Sequence, residues 1–307
     1  MLSKRSIWLF LTGAIVLAGL VSYTVSYFYV KAQAPKTIIK QVSSKESYLL
    51  PNLPSKLDFA GEAVPLEKPD VHERLLREML INTNLHAGNT WILLQTSRWF
   101  PLIVPILKEE GVPEDFKYLC VAESGLQQVV SKSDAVGFWQ FLEETGKQSG
   151  LEISKQVDER YHVEKSTRAA CRYFKRAYAK FGSWTLVAAA FNCGEAGVEK
   201  FMNQQQVKSY YDALLPDETM RYVFRILAFK NIISQPKQYH FSVKEKDYFS
   251  PRNTYTDTIR ATVKDLAVYA KSKGCTYKEL KIFNPWLREK DLVVKKGKEY
   301  IVLLPKL

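Results

Sequence analysis

From residue 70 onward, apolar positions recur every three to four residues, the period of an α-helix with one buried face. Helical spacing begins at Asp70, read as an N-cap, with Val71, Leu75, Met79 and Leu80 near one face. Further helices are predicted over residues 90–98, 101–110, 114–124, 137–146, 163–181, 184–192 and 217–234. The stretch 163–181 is the clearest: Ala170, Tyr173 or Phe174, Ala177 and Phe181 form an apolar stripe, with Lys165, Arg168, Arg172, Lys175 and Arg176 elsewhere. No alternation of comparable quality precedes Tyr239. Beyond it, two short helices at 262–272 and 276–283 flank Gly274, a β-branched strand is predicted at 298–304, and a first strand lies between Thr254 and Ala261. Such a β-α-α-β unit packs two helices against one small sheet. The fold class is therefore mainly α, with a small α+β unit at the C-terminus.

The N-terminal pattern is different. Lys4 and Arg5 precede an uncharged run from Ser6 to Val30 that ends at Lys31. The run exceeds the ~20 apolar residues that span a bilayer and the ~7–15 of a signal-peptide core, so residues 1–34 read as one uncleaved transmembrane anchor. Pro35, Pro51, Pro54, Pro65 and Pro69 among Lys and Ser make 35–69 an extended linker. The expected organisation is anchor 1–34, linker 35–69, helical domain 70–236 and C-terminal module 237–307.

Charge sharpens this division. The net +12 is uneven: residues 70–236 carry 20 basic and 20 acidic side chains, whereas 237–307 carry 16 and 8. A basic tail suits an anionic polymer or surface, and without an RNP motif, zinc finger or phosphate loop nucleic acid is not the expected partner. Cys120, Cys171, Cys193 and Cys275 show no metal-ligand spacing with the four histidines. Burial is expected for Cys120 and Cys171, and pairing is left unassigned.

One carboxylate stands out. Pro113-Glu114-Asp115 opens a helix that runs apolar through Tyr118-Leu119-Cys120-Val121-Ala122 and stops at Gly125, placing Glu123 in the last turn. There it faces the negative end of the helix dipole in apolar surroundings, and both disfavour ionisation. That is a poor choice for stability and a suitable one for a general acid. The alternative is a Glu whose side chain escapes to solvent at a frayed end.

Glu123-Ser124-Gly125, then Gly137-Phe138-Trp139-Gln140, then Ala190-Phe191-Asn192, then Glu218-Thr219 with Tyr222-Val223, occur in an order that resembles the lytic transglycosylase domain, in particular the membrane-bound lytic murein transglycosylase D group. The resemblance runs from about Pro101 to Ile233 and includes Asp158-Glu159-Arg160. It implies a lysozyme-like helical catalytic domain in which Glu123 is the catalytic acid/base. Ser124, Gln140, Phe191, Asn192 and Tyr222 would be substrate-binding. Phe191 stands where the family usually has Tyr, so only packing or stacking is expected of it; His162-Val163 replaces the usual Asp-Pro before the long helix, which weakens that helix start. Phe138, Trp139 and Phe141 are expected in the core, Gly194 and Gly197 as turn formers, and Asn192 and Tyr222 also admit readings as a local cap and a half-buried tyrosine.

The implied reaction needs one carboxyl. Glu123 would protonate the glycosidic oxygen between N-acetylmuramic acid and N-acetylglucosamine, then deprotonate the muramoyl 6-hydroxyl to close a 1,6-anhydro ring, with no metal or organic cofactor. A hydrolytic muramidase of the goose-lysozyme type would use water instead, with Asp134, Glu143 or Glu144 as candidate second carboxylates by proximity in sequence. A non-catalytic wall-binding scaffold is the third reading. The segments 262–267, 274–280, 283–286 and 296–298 resemble a LysM module, which implies glycan binding; Tyr277 and Trp286 would stack on sugars or fill the module's core, the latter preferred for Trp286. The implied partners are peptidoglycan glycan strands and, through the anchor, the cytoplasmic membrane. The implied location is the bacterial envelope, inner-membrane anchored with the catalytic domain in the periplasm.

Overall fold

The computed structural model describes residues 50–306, and the predicted anchor at 1–34 lies outside them. Among the described residues no helix is long and apolar enough to cross a membrane. A two-stranded hairpin, β1 (Asp58–Phe59) and β2 (Glu62–Ala63), precedes the helices α1 (Pro69–Asn84), α2 (His86–Glu109), α3 (Phe116–Ser124) and α4 (Glu143–Gln148). Then come α5 (Val163–Phe181), α6 (Trp184–Cys193), α7 (Glu195–Gln205) and α8 (Asp217–Ser234). The module follows as β3 (Thr254–Ile259), α9 (Leu266–Ser272), α10 (Tyr277–Phe283) and β4 (Tyr300–Pro305), with β3 and β4 antiparallel and Ile259 opposite Tyr300.

The helical unit is built around α8, which packs against α1, α3 and α6. Tyr222, Val223, Phe224, Ile226, Leu227, Ala228 and Phe229 are all buried, and only a narrow strip with Glu218, Arg221 and Arg225 stays polar and less buried. Helix α6 is its short counterpart, with Thr185 through Ala190 buried in succession. The amphipathic α5 lays its predicted stripe against α6 and α2, and ends at Gly182 with φ +63°.

Several sequence expectations change. Helix α1 starts at Pro69 with Lys68 at its N-cap, and Asp70 lies in its first turn paired with Arg74. The two helices expected over 90–98 and 101–110 are one, α2, which runs through Pro101 and Pro105. Each proline withholds a single backbone donor, and Ile103, Ile106 and Leu107 hold the helix to the core. The predicted helix at 137–146 is instead loop up to α4, because Gly137 (φ +81°) and Gln140 (φ +47°) leave helical space. Gly197 is no turn former: it lies inside α7, a helix the periodicity did not reveal.

Residues 53–69, expected as part of an extended linker, pack on the helices. Phe59 is fully buried against Phe116, and Val64 joins the same core. Tyr239 and Phe241, expected in the module, also belong to the helical core. The β-α-α-β prediction matches in the order of elements. Asp265 caps α9 through the amides of Ala267 and Val268, and Thr276 with Glu279 forms a capping box on α10, so both helices start later than expected.

Candidate active site

Glu123 lies in the last turn of α3, which Gly125 closes in the left-handed conformation (φ +59°). It is partly buried, and its carboxyl sits against α8, where Tyr222 donates its phenolic hydrogen to Oε1. Loss of water pushes the carboxyl up to about 7; the Tyr222 hydrogen bond and the positive charge of Arg225 oppose that rise, and Glu218 adds slightly to it. Tyr222 is itself buried, and burial together with the adjacent carboxyl holds its hydroxyl in the protonated form that can donate. A group near 7 is half protonated at neutral pH, suited to give a proton and take one back.

Behind Tyr222, α8 is tied to α1 by charge. Glu78 is buried on α1 and receives Arg221 at 2.7 Å, with Arg225 at 3.7 Å from its other oxygen; Arg225 also meets Glu218 at 3.0 Å. Arg225 is thereby fixed one turn beyond Tyr222, where its charge reaches Glu123. Nothing in the periodicity pointed to this cluster, since Glu78 reads as an ordinary polar position between Arg77 and Met79.

The other expected site residues are held by hydrogen bonds and packing to the elements around α3. The Ser124 hydroxyl donates to the carbonyl of Phe138 at 2.9 Å, so it braces α3 against the following loop, and its proton is not free for substrate. Gln140 has φ +47°, a left-handed backbone that costs a non-glycine residue on the order of 1 kcal/mol. Its side-chain amide compensates by donating to Gly137 O at 2.8 Å and Val129 O at 3.1 Å. Leu126 and Asp134 in the same loop are also left-handed, a concentration of strain typical of binding loops.

Phe191 packs edge-on to Phe141 (5.8 Å between centroids) and Tyr173 (5.2 Å), in keeping with a packing role. Next to it, Asn192 is no local cap: its Oδ1 accepts from Thr219 Oγ1 at 2.8 Å, one helical turn before Tyr222. Contacts therefore run from Gln140 through the adjacent Phe141 to Phe191 and Asn192, then through Thr219 on α8 to Tyr222 and Glu123. Phe138, Trp139 and Phe141 are core residues, all at 2% exposure or less, and Trp139 donates to Thr167.

The three candidate second carboxylates are exposed. Glu143 pairs with Lys147 and Glu144 accepts from Gln148, and neither bonds to any group around Glu123. The four cysteines are free, with Cys120, Cys171 and Cys275 buried and Cys193 partly so. Among the described residues no cluster of His, Cys, Asp or Glu is arranged to hold a metal ion. A concavity lined by Leu53, Leu57, Val64, Leu66 and His72 shares no residue with this site.

Comparison with known proteins places these features. Residues 102–214 match the model of the transglycosylase SLT domain, and residues 255–307 match the soluble lytic transglycosylase C-terminal LysM-like domain. Successive parts of the chain are thus similar to an SLT domain and to a LysM-like module. The chain is similar to membrane-bound lytic murein transglycosylase D of Escherichia coli strain K12, at 29% identity over 264 residues, 81% of this chain and 55% of that protein. The protein of the same name from Escherichia coli O6:H1 strain CFT073 gives the same figures. The chain thus spans about half the length of the curated relatives it matches. Glu123, Ser124, Gln140, Phe191 and Asn192 fall inside the SLT match; Tyr222 lies beyond it and stands on its hydrogen bond to Glu123.

Proposed function

We propose that this chain cleaves peptidoglycan glycan strands at the β-1,4 bond between N-acetylmuramic acid and N-acetylglucosamine, leaving a 1,6-anhydromuramoyl end, with Glu123 as the one acid/base. The observation that carries the reading is the Glu123 carboxyl itself, lifted to about 7 by burial within an SLT domain and held by Tyr222. Because Tyr222 donates to Oε1, the proton of the neutral acid resides on Oε2, which is the atom that protonates the leaving oxygen. The oxocarbenium-like state that follows is relieved by the substrate's own acetamido group. The Glu123 carboxylate then removes the proton of the muramoyl 6-hydroxyl, which closes the anhydro ring and resets the acid.

On this reading Gln140 offers its remaining acceptor Oε1 and Asn192 its donor Nδ2 to sugar hydroxyls and acetamido groups, and Ser124 acts by fixing α3 to the Gln140 loop. Residues 1–34 anchor the chain in the inner membrane, so that the helical unit and module work in the periplasm, in line with the word membrane-bound in the relatives' name. The excess of basic residues beyond position 237 favours an acidic wall polymer.

The test is product analysis on purified peptidoglycan. The expected muropeptides are one water lighter than hydrolysed ones, and products of hydrolysed mass would indicate a muramidase. Glu123→Gln, folded by circular dichroism, is expected to lose about 100- to 10,000-fold in rate; a folded variant of wild-type activity contradicts the assignment.

A further inference from the structure

Residues 126–142, the loop that carries Gln140, rest on the segment 156–161. Arg160 Nη1 donates to the carbonyls of Asp134 and Phe141, both at 3.3 Å, and Gln128 Nε2 donates to Tyr161 O at 2.8 Å. Gly137 packs so closely there that a Cβ would collide with the Arg160 carbonyl, which explains why glycine occupies the position. Arg160 is buried and held by Asp158, with Nε and Nη2 donating to the two carboxylate oxygens at 3.0 and 2.8 Å.

The other side of 156–161 is taken by the C-terminal module. Val157 forms an antiparallel bridge with Leu287; Asp158 N donates to Trp286 O at 2.9 Å, and Arg288 N donates to Gln156 O at 2.8 Å. The Gln156 side chain donates to Asp291 and accepts from Val293 N, and the Arg288 guanidinium lies 4.0 Å over the Tyr161 ring. Trp286, 3% exposed, stacks on Tyr300 within the module and on His162 across the seam. Val136 of the Gln140 loop, with Val157 and Tyr161, completes the module's apolar cluster. A binding arm on a tether would share no core with its catalytic partner; this module does.

We propose that the LysM-like module is a buttress of the groove: it fixes segment 156–161, and Arg160 acts as the positioning residue that passes this constraint to the loop bearing Gln140. The proposal rests on the reading of that loop as one wall of the glycan groove, and it assigns Trp286 to the seam, which leaves sugar stacking to other surfaces.

The test uses the full chain in detergent. In the double variant Gln156→Ala with Arg288→Ala, amide exchange across 126–142 is expected to rise at least about tenfold while α8 keeps its protection; unchanged exchange in 126–142 overturns the proposal. Arg160→Lys keeps the charge but loses the fork to Asp158, and kcat on glycan is expected to fall about tenfold or more with an unchanged pH profile. Combined with Gln140→Ala, it should lose no more than Gln140→Ala alone. Losses that multiply overturn the proposal, because Arg160 would then act independently of Gln140. Should Arg160→Lys fail to fold, the seam double variant takes its place in the same cycle. A wild-type chain that releases no glycan product refutes the enzymatic reading alone, and the exchange result still decides the buttress.

Discussion

A carboxyl in the position of Glu123 is held at a cost to the fold. Its folded value of about 7 stands above the ordinary 4.5, so the native state binds this proton more tightly than the unfolded chain. The group's contribution to stability is full below about 4.5 and is lost as pH rises through about 7. Glu123→Gln cannot ionise, so it should match wild type near pH 4.5 and exceed it at pH 8 by roughly 1–3 kcal/mol. Urea unfolding at the two pH values checks this; an equal difference at both would contradict burial as the cause. Tyr222 pulls the other way, because its hydrogen bond favours the carboxylate. Tyr222→Phe should therefore move the alkaline limb of the rate profile upward, by about one unit, while lowering kcat through lost positioning. A limb that moves down would mean that the hydroxyl does not bond to the ionised form. Of these residues, Glu123 was legible because a lone acid closing an apolar helix is anomalous. The resemblance includes Arg160 but gives it no role, and Glu78 carries no signal, since the two loop carbonyls that Arg160 holds and the α8 partners of Glu78 are distant in sequence.

Elements show the same division between local and distant causes. Helix α6, which carries Phe191 and Asn192, has an apolar sequence with no acid in its first turn. Its positive end is met instead by Glu62 from the β1–β2 hairpin, whose carboxylate accepts from Trp184 N at 2.5 Å, Thr185 N at 2.9 Å and the hydroxyls of Ser183 and Thr185. Glu62→Ala strips all four donors of their acceptor and should lower unfolding free energy by roughly 2–4 kcal/mol in thermal or urea titration. A change below ~0.5 kcal/mol would show that water satisfies that helix end. The start of α5 carries a similar lesson. His162 was expected to weaken it, yet its Nδ1 accepts from Lys165 N as a cap, and burial depresses its imidazole to about 4, so the ring stays neutral and able to accept. Helices α5 and α8 and the β-α-α-β order were readable because a single periodic face decided them. The stretch 137–146 reads as helix from its sequence, and Gly137 against the Arg160 backbone and left-handed Gln140 overrule that reading up to α4. Helix α7 was missed because it buries only Val198 and Met202.

At the scale of the whole molecule, the sequence reads as two domains at a change of texture near residue 237, but cohesion follows the buried surfaces. Tyr239 and Phe241 belong to the helical core, and Phe249 reaches back to Trp91 and Arg98 on α2. Val136, Val157 and Tyr161 of the helical unit are buried in the module's cluster, and Glu152 takes both Tyr300 at 2.9 Å and Lys298 at 2.6 Å. A module of about 50 residues with a two-stranded sheet has only a small core, and small domains bury too small a share of their surface to be robust alone. Borrowed apolar contacts and a backbone bridge at Val157–Leu287 make its folding depend on the larger unit. Calorimetry of the chain should then show one transition, with calorimetric and van't Hoff enthalpies in agreement. Lengthening the connection at residues 250–253 with Gly-Ser should leave that transition single, because the coupling runs through the seam and not through the chain. Two resolved transitions in the unmodified protein would mean that the module folds independently and that the shared core contributes little.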